Sequence, residues 1–184
     1  MIAVNKFYGY LPKQKNNMTH LSATKKGIFI SVILILTSII CFYLFHLPDN
    51  GKSQYLILCL YIAGILWVLM SYKIRTDYAG LKEYFSEAFK AFIVITLLMT
   101  LYTYIFQKLN PQILENGIKE NNLLLQKQGN KTPMEINENA EKLRSIFMPM
   151  MLMLNTIKFL ILGVLVSIVT AGFLSQKNNS AANS

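Results

Sequence analysis

GIFISVILILTSIICFYLFHLP, Gly27–Pro48, carries no charged residue and is apolar on nearly every helical face. At about 1.5 Å of rise per residue it is long enough to cross a hydrocarbon core about 30 Å thick. Three more uncharged stretches of similar character occur later in the chain: Ser53–Tyr72, Ala91–Gln107 and Phe159–Gln176. A water-soluble bundle alternates apolar stripes with polar faces. Here 53% of residues are hydrophobic and 15% charged, and the long stretches have no polar face. The chain therefore reads as an integral membrane protein. Its expected fold is all-α, a bundle of four transmembrane helices with an extramembrane helical hairpin between the third and fourth.

The expected organisation rests on these stretches. A basic N-terminal tail occupies 1–26 and a transmembrane domain 27–174, with spans at about 27–47, 54–72, 84–107 and 150–174. The hairpin falls at 108–146, and a polar, disordered tail at 175–184. No signal-peptide cleavage site comes after the first apolar run, so that run is expected to remain as an anchor.

Orientation comes from lysine and arginine. Lys6, Lys13, Lys15, Lys25 and Lys26 precede the first span with no acid among them. Lys73, Arg75 and Lys82 come after the second, while the first loop has only Lys52 against Asp49. The segment after the third span is basic too, with Lys108, Lys119, Lys127, Lys131, Lys142 and Arg144, but it also holds five acids, and long segments obey the rule less strictly. The positive-inside rule therefore predicts N-in/C-in in the cytoplasmic (inner) membrane. The net charge of +9 is thereby a matter of topology and lipid attraction. It is spread along loops with no nucleic-acid motif, so no nucleic-acid partner is expected.

Three places invite closer reading. At the start of the third span, Gly80-Leu-Lys-Glu-Tyr-Phe-Ser-Glu-Ala-Phe-Lys-Ala-Phe sets Phe85, Phe89 and Phe92 on one stripe and Glu83, Glu87 and Lys90 on another. Spacings of three and four bring side chains together, so Glu87 is expected to pair with Lys90. The three charges form a candidate polar cluster, with topological anchoring as the plainer role. Lys158 stands near one end of the fourth span. At mid-bilayer it would cost about 3 kcal/mol, whereas the surrounding Leu, Ile, Val and Phe return roughly 5. The span survives, with Lys158 as an interface anchor that snorkels. Gly163, Ser167 and Ala171 recur every fourth residue, as do Ala23, Gly27 and Ser31. Small residues at that spacing allow close helix packing, within the bundle or between copies.

Between the third and fourth spans, Asn110-Pro111 ends one helix or begins the next, and Gly129-Asn130 makes a turn. Thr132-Pro-Met-Glu is a capping box with proline at the first helical position. These signals predict helices at about 111–128 and 133–144. Pro149 interrupts the next apolar stretch and is expected to kink or break the helix there.

Cys41 and Cys59 fall at similar depth on antiparallel neighbours joined by a tight turn at Pro48, but free thiols are the commoner state. His20 and His46 have no companions at ligand spacing, so no metal is expected, nor any other cofactor. Phosphate loops and hydrolase motifs are absent from the sequence, and the chain is expected not to be an enzyme. Two function classes remain: a non-enzymatic scaffold or accessory subunit of a membrane complex, or a small carrier or lipid-handling accessory. Besides the lipid bilayer, a membrane-protein partner or a second copy fits the first class.

The chain also resembles the Bacteroidota membrane family known as domain of unknown function 4199. Tyr72-Lys-Ile-Arg, Tyr84-Phe-Ser-Glu-Ala-Phe-Lys, Asn110-Pro-Gln and the closing Gly163-Val-Leu-Val-Ser-Ile-Val-Thr-Ala carry the resemblance over about Lys26 to Lys177. Asn110 stands where that family often has aspartate. The resemblance implies the same four-span architecture and a bacterial origin, and it brings no mechanism.

Overall fold

A computed structural model describes residues 21–44, 52–76, 79–129 and 131–182. The element order is α1 (Ala23–Tyr43), α2 (Lys52–Arg75), α3 (Leu81–Leu109), α4 (Gln112–Gln128) and α5 (Pro133–Ala182), with no strand among the described residues. Four of these helices are long and apolar enough to cross a membrane: Ala23–Tyr43, Ser53–Arg75, Leu81–Leu109 and the Pro133–Ser175 part of α5. The tail before residue 21, the Pro48 turn, His20 and His46 lie outside the described residues.

α3 is the centre of the bundle, packed most extensively on α5 and α1, with α2 filling the remaining side. Leu34, Tyr61, Ile65, Phe92, Ile95 and Phe159 form the fully buried interior. The outer surface is also apolar: Leu36, Leu97, Leu101, Val169 and Phe173 are all more than half exposed. Water would oppose such an outer face at about 25 cal/mol per Å², whereas lipid accepts it. Buried Ser31, Thr96 and Ser71 return their hydroxyls to their own helix. Ser31 donates to the Gly27 carbonyl at 2.8 Å, Thr96 to Phe92 at 2.8 Å and Ser71 to Trp67 at 2.7 Å. This back-bonding satisfies the donors where no water is at hand.

The small-residue stripes lie at interfaces. Gly163, Ser167 and Ala171 are buried, and so are Ala23, Gly27 and Ser31. A Cβ on Gly27 would fall 2.8 Å from the Ala91 carbonyl oxygen of α3. A Cβ on Gly163 would fall 2.5 Å from Tyr61 Oη and 2.7 Å from Phe92 Cγ. Tyr61 reaches across to donate to the Phe159 carbonyl at 2.8 Å, and its ring meets Phe159 edge-on.

The capping box is formed. Thr132 N donates to Glu135 Oε2 at 2.7 Å, and Glu135 N donates to Thr132 Oγ1 at 3.3 Å. Gly129 ends α4 with φ 66°, a left-handed position that glycine takes without a Cβ clash.

Three expectations need correction. α1 starts at Ala23, so Lys25 and Lys26 belong to the helix and not to the basic tail. The helix opened by the capping box does not end near Arg144, and Pro149 does not break it: α5 is one helix of 50 residues. Proline at 149 removes one backbone donor, and in apolar surroundings the rest of the chain gains more by staying hydrogen-bonded as helix. The same helix passes 174 and runs to Ala182.

Candidate functional site

Polar groups gather at two places in the bundle. The first is the end where α1 and α3 begin and α2 stops. Glu87 is held there by two cations. Arg75 Nη2 lies 3.3 Å from Glu87 Oε1, and Lys90 Nζ lies 3.7 Å from Oε2. The Glu87 side chain is only 13% exposed, against 27% for Arg75 and 57% for Lys90. The spacing of three brings Lys90 to Glu87. Arg75 comes from another helix, which no spacing rule reveals. Arg75 also lies over Tyr72, whose ring packs edge-on against the buried Tyr84. Glu83 is exposed and makes no ion pair among the described residues.

Lys26 is the unexpected member of this end. It is wholly buried, and its ammonium has no hydrogen-bond partner. It stands 5.6 Å from the centroid of the Trp67 ring, a cation–π arrangement. The charges of Arg75 and Glu87 both act on it. In sequence it passes for one more topological lysine. The signal was its register: Ala23, Lys26, Gly27, Ile30, Ser31 and Leu34 form the buried stripe of α1. Beside it, Trp67 closes an apolar groove of about 310 Å³ between α1 and α2.

The second place is a cavity of about 330 Å³ near the opposite end, bounded by α1, α2, α3 and α5 with Ile113 of α4. Its polar lining is Ser38, Ser53, Gln54, Tyr102, Thr103, Gln107, Asn155 and Lys158. Tyr102 donates to Ser38 Oγ at 3.0 Å, and Asn155 Nδ2 donates to Thr103 Oγ1 at 2.9 Å. Gln107 Oε1 is buried with no donor. Lys158 is half-buried on the cavity wall, with its ammonium 5.3 Å from the Phe159 ring centroid. Cys41 is buried on the same wall, Cys59 is exposed, and both are free thiols. Among the described residues there is no cluster of His, Cys, Asp or Glu that would hold a metal ion.

α4 lies antiparallel on the first half of α5. Arg144 clamps Glu115 with two hydrogen bonds of 3.0 and 2.9 Å and takes Glu141 at 2.7 Å. The hydrogen-bonded guanidinium holds the Glu115 carboxyl below the usual carboxylate range. Ile118, Ile136 and Ala140 are buried, while Leu123, Leu124 and Met134 near the turn are 56%, 59% and 72% exposed.

An all-helical chain with four membrane-length helices, an apolar outer face and back-bonded interior hydroxyls is an integral, multi-pass membrane protein. It belongs to the family described as protein of unknown function DUF4199, which matches residues 25–176. No curated protein and no solved structure matches it.

Proposed function

We propose that the chain is a non-enzymatic accessory subunit of the cytoplasmic (inner) membrane in a member of the Bacteroidota. It sits N-in/C-in and organises a partner through an extramembrane hairpin made of α4 and the first half of α5. The length of α5 carries this reading. Its 50 residues rise about 75 Å at about 1.5 Å each, well beyond the roughly 40–45 Å of a bilayer with its headgroups. The charged Glu138-Asn-Ala-Glu-Lys-Leu-Arg144 portion is the part suited to water. Exposed Leu123, Leu124 and Met134 at the hairpin's free end supply an apolar contact, and the Glu115–Arg144 clamp makes the hairpin stiff enough to present it. The lysines of the N-terminal tail and the second loop, against a nearly uncharged first loop, favour that end outside.

A photo-crosslinking residue at Leu124 tests this in cells. The expected result is a discrete protein adduct at Leu124 and lipid adducts alone at Phe173 on the outer face of α5. Absence of any protein adduct at Leu123, Leu124 and Met134 would contradict it. A second reading, a small carrier or lipid-handling accessory beside a polyprenyl-phosphate glycosyltransferase, draws on the polar cavity at Lys158. Under that reading, filling the cavity with Thr103→Leu abolishes function, while polar changes at Leu123 and Leu124 leave it intact.

A further inference from the structure

Lys26 has three ammonium donors, no acceptor and no exposure. A buried cation in that state is costly unless another charge answers it. The Trp67 face answers it only in part. Arg75 and Lys90 already share Glu87, the carboxylate whose charge acts on Lys26. Three cations around one acid leave this end of the bundle positive. The electropositive N-terminus of α3 is offset by Glu83 in its own first turn, so the positive field comes from the three side chains.

The cations are not alone. The Trp67 ring under the Lys26 ammonium is also the end wall of the α1–α2 groove, whose other sides are Phe29, Ile30, Ile33, Ala63 and Gly64. Phe29 and Ile33 are 46% and 39% exposed, so the groove opens on the face that lipid covers. Lys26 stands on the wall residue of an apolar groove, with the Arg75 charge close enough to act on it, and that juxtaposition matches an amphipathic anion. A small soluble anion would use the charges and leave the groove idle.

We propose that this end of the bundle binds a phosphate-bearing anionic membrane lipid, with its phosphate on Arg75 and Lys90 and one acyl chain in the α1–α2 groove. Both cations have exposed side-chain surface through which a headgroup can reach them. The Arg75 guanidinium offers paired donors to phosphate oxygens. Once the phosphate takes these two cations, Glu87 is released to turn toward Lys26. The buried ammonium then has its acceptor, and each of the three cations has an anion. The site rests on the membrane reading alone and stands whether or not the hairpin meets a partner.

Native mass spectrometry of the detergent-purified chain tests it, with phosphatidylglycerol, phosphatidylcholine of the same chains, and inorganic phosphate as probes. Phosphatidylglycerol is expected to be retained in preference to phosphatidylcholine. Arg75→Gln and Lys90→Gln are each expected to weaken that retention about fivefold, since a basic residue near anionic lipid is worth about that factor. Ala63→Phe, which fills the groove from its exposed side, is expected to displace the lipid while leaving the melting temperature in place. Equal retention of the two lipids, or phosphatidylglycerol binding that ignores Arg75→Gln, overturns the proposal. Competition by inorganic phosphate as strong as by lipid, with Ala63→Phe silent, also overturns it and leaves a site for soluble anions. Should Ala63→Phe fail to fold, the Arg75→Gln and Lys90→Gln comparison decides.

Discussion

Replacing Gly163 by alanine adds one methyl group where the bundle has no room for it. The new Cβ would lie 2.5 Å from Tyr61 Oη, 2.7 Å from Phe92 Cγ and 2.9 Å from Phe92 Cδ2. Tyr61 and Phe92 are both fully buried, and the tyrosine is tied to the Phe159 carbonyl. The Phe92 atoms are at the root of the ring and move only if α3 moves. Overpacking of this kind costs about 1–3 kcal/mol. Losing the Tyr61 hydrogen bond adds about 0.6–1 kcal/mol, and alanine's better helix propensity returns about 0.8–1 kcal/mol. The net is a destabilisation of about 1–3 kcal/mol. Gly172→Ala on the same helix is the control, because nothing lies within 4 Å of its added methyl. It is expected to be neutral or stabilising by up to about 1 kcal/mol. Thermal unfolding in detergent, monitored by size-exclusion chromatography, reads both, and Tyr61→Phe with Gly163→Ala is expected to recover part of the loss. A Gly163→Ala protein as stable as Gly172→Ala would refute the close packing of α3 on α5.

Glu87→Ala is expected to lower expression, because it strands Arg75 and Lys90 beside the buried Lys26. Adding Lys90→Ala should restore part of the level, and a double variant no better than the single one would remove the pair from any role in folding. Docking of α4 on α5 is expected to hold at neutral pH and weaken on acidification. Glu115 has its carboxyl depressed by Arg144, so its contribution is present above the unfolded value of about 4.3. That contribution is lost as pH falls through the lower folded value. Amide-exchange protection factors across α4, normalised to intrinsic rates down a pH series, check this, and Arg144→Gln should reduce their pH dependence. Protection factors that do not change with pH would mean the clamp contributes nothing.

The spans were legible in the sequence because hydrophobicity acts residue by residue and needs no partner. The start of α5 was legible for a similar reason: Thr132 and Glu135 are three residues apart and cap each other. Glu87 and Lys90 were likewise within local reach. The features that escaped depended on a second helix. Arg75 meets Glu87 only because α2 and α3 pack side by side. Lys26 resembles its neighbour Lys25, yet a step of one residue turns it from solvent into the α1 interface. The cavity holds Ser38, Tyr102 and Asn155 from three helices, and no spacing within one helix announces it. Of the kink or break expected at Pro149, the break does not occur, because the demand of an apolar environment for hydrogen-bonded backbone outweighs a local helix-breaking rule.

The central claim is a four-span chain with both ends on one side and the α4–α5 hairpin on the other. Cysteine accessibility in intact cells tests it most directly, on a background with Cys41 and Cys59 replaced by serine. Single cysteines introduced at Asn50 and Gly129 are predicted to react with a membrane-impermeant maleimide from outside. Those at Asn5 and Ser180 are predicted to react only after the cells are opened. Labelling of either tail from outside, or a Gly129→Cys protein that stays unlabelled until lysis, would contradict the account and put the hairpin on the cytoplasmic side.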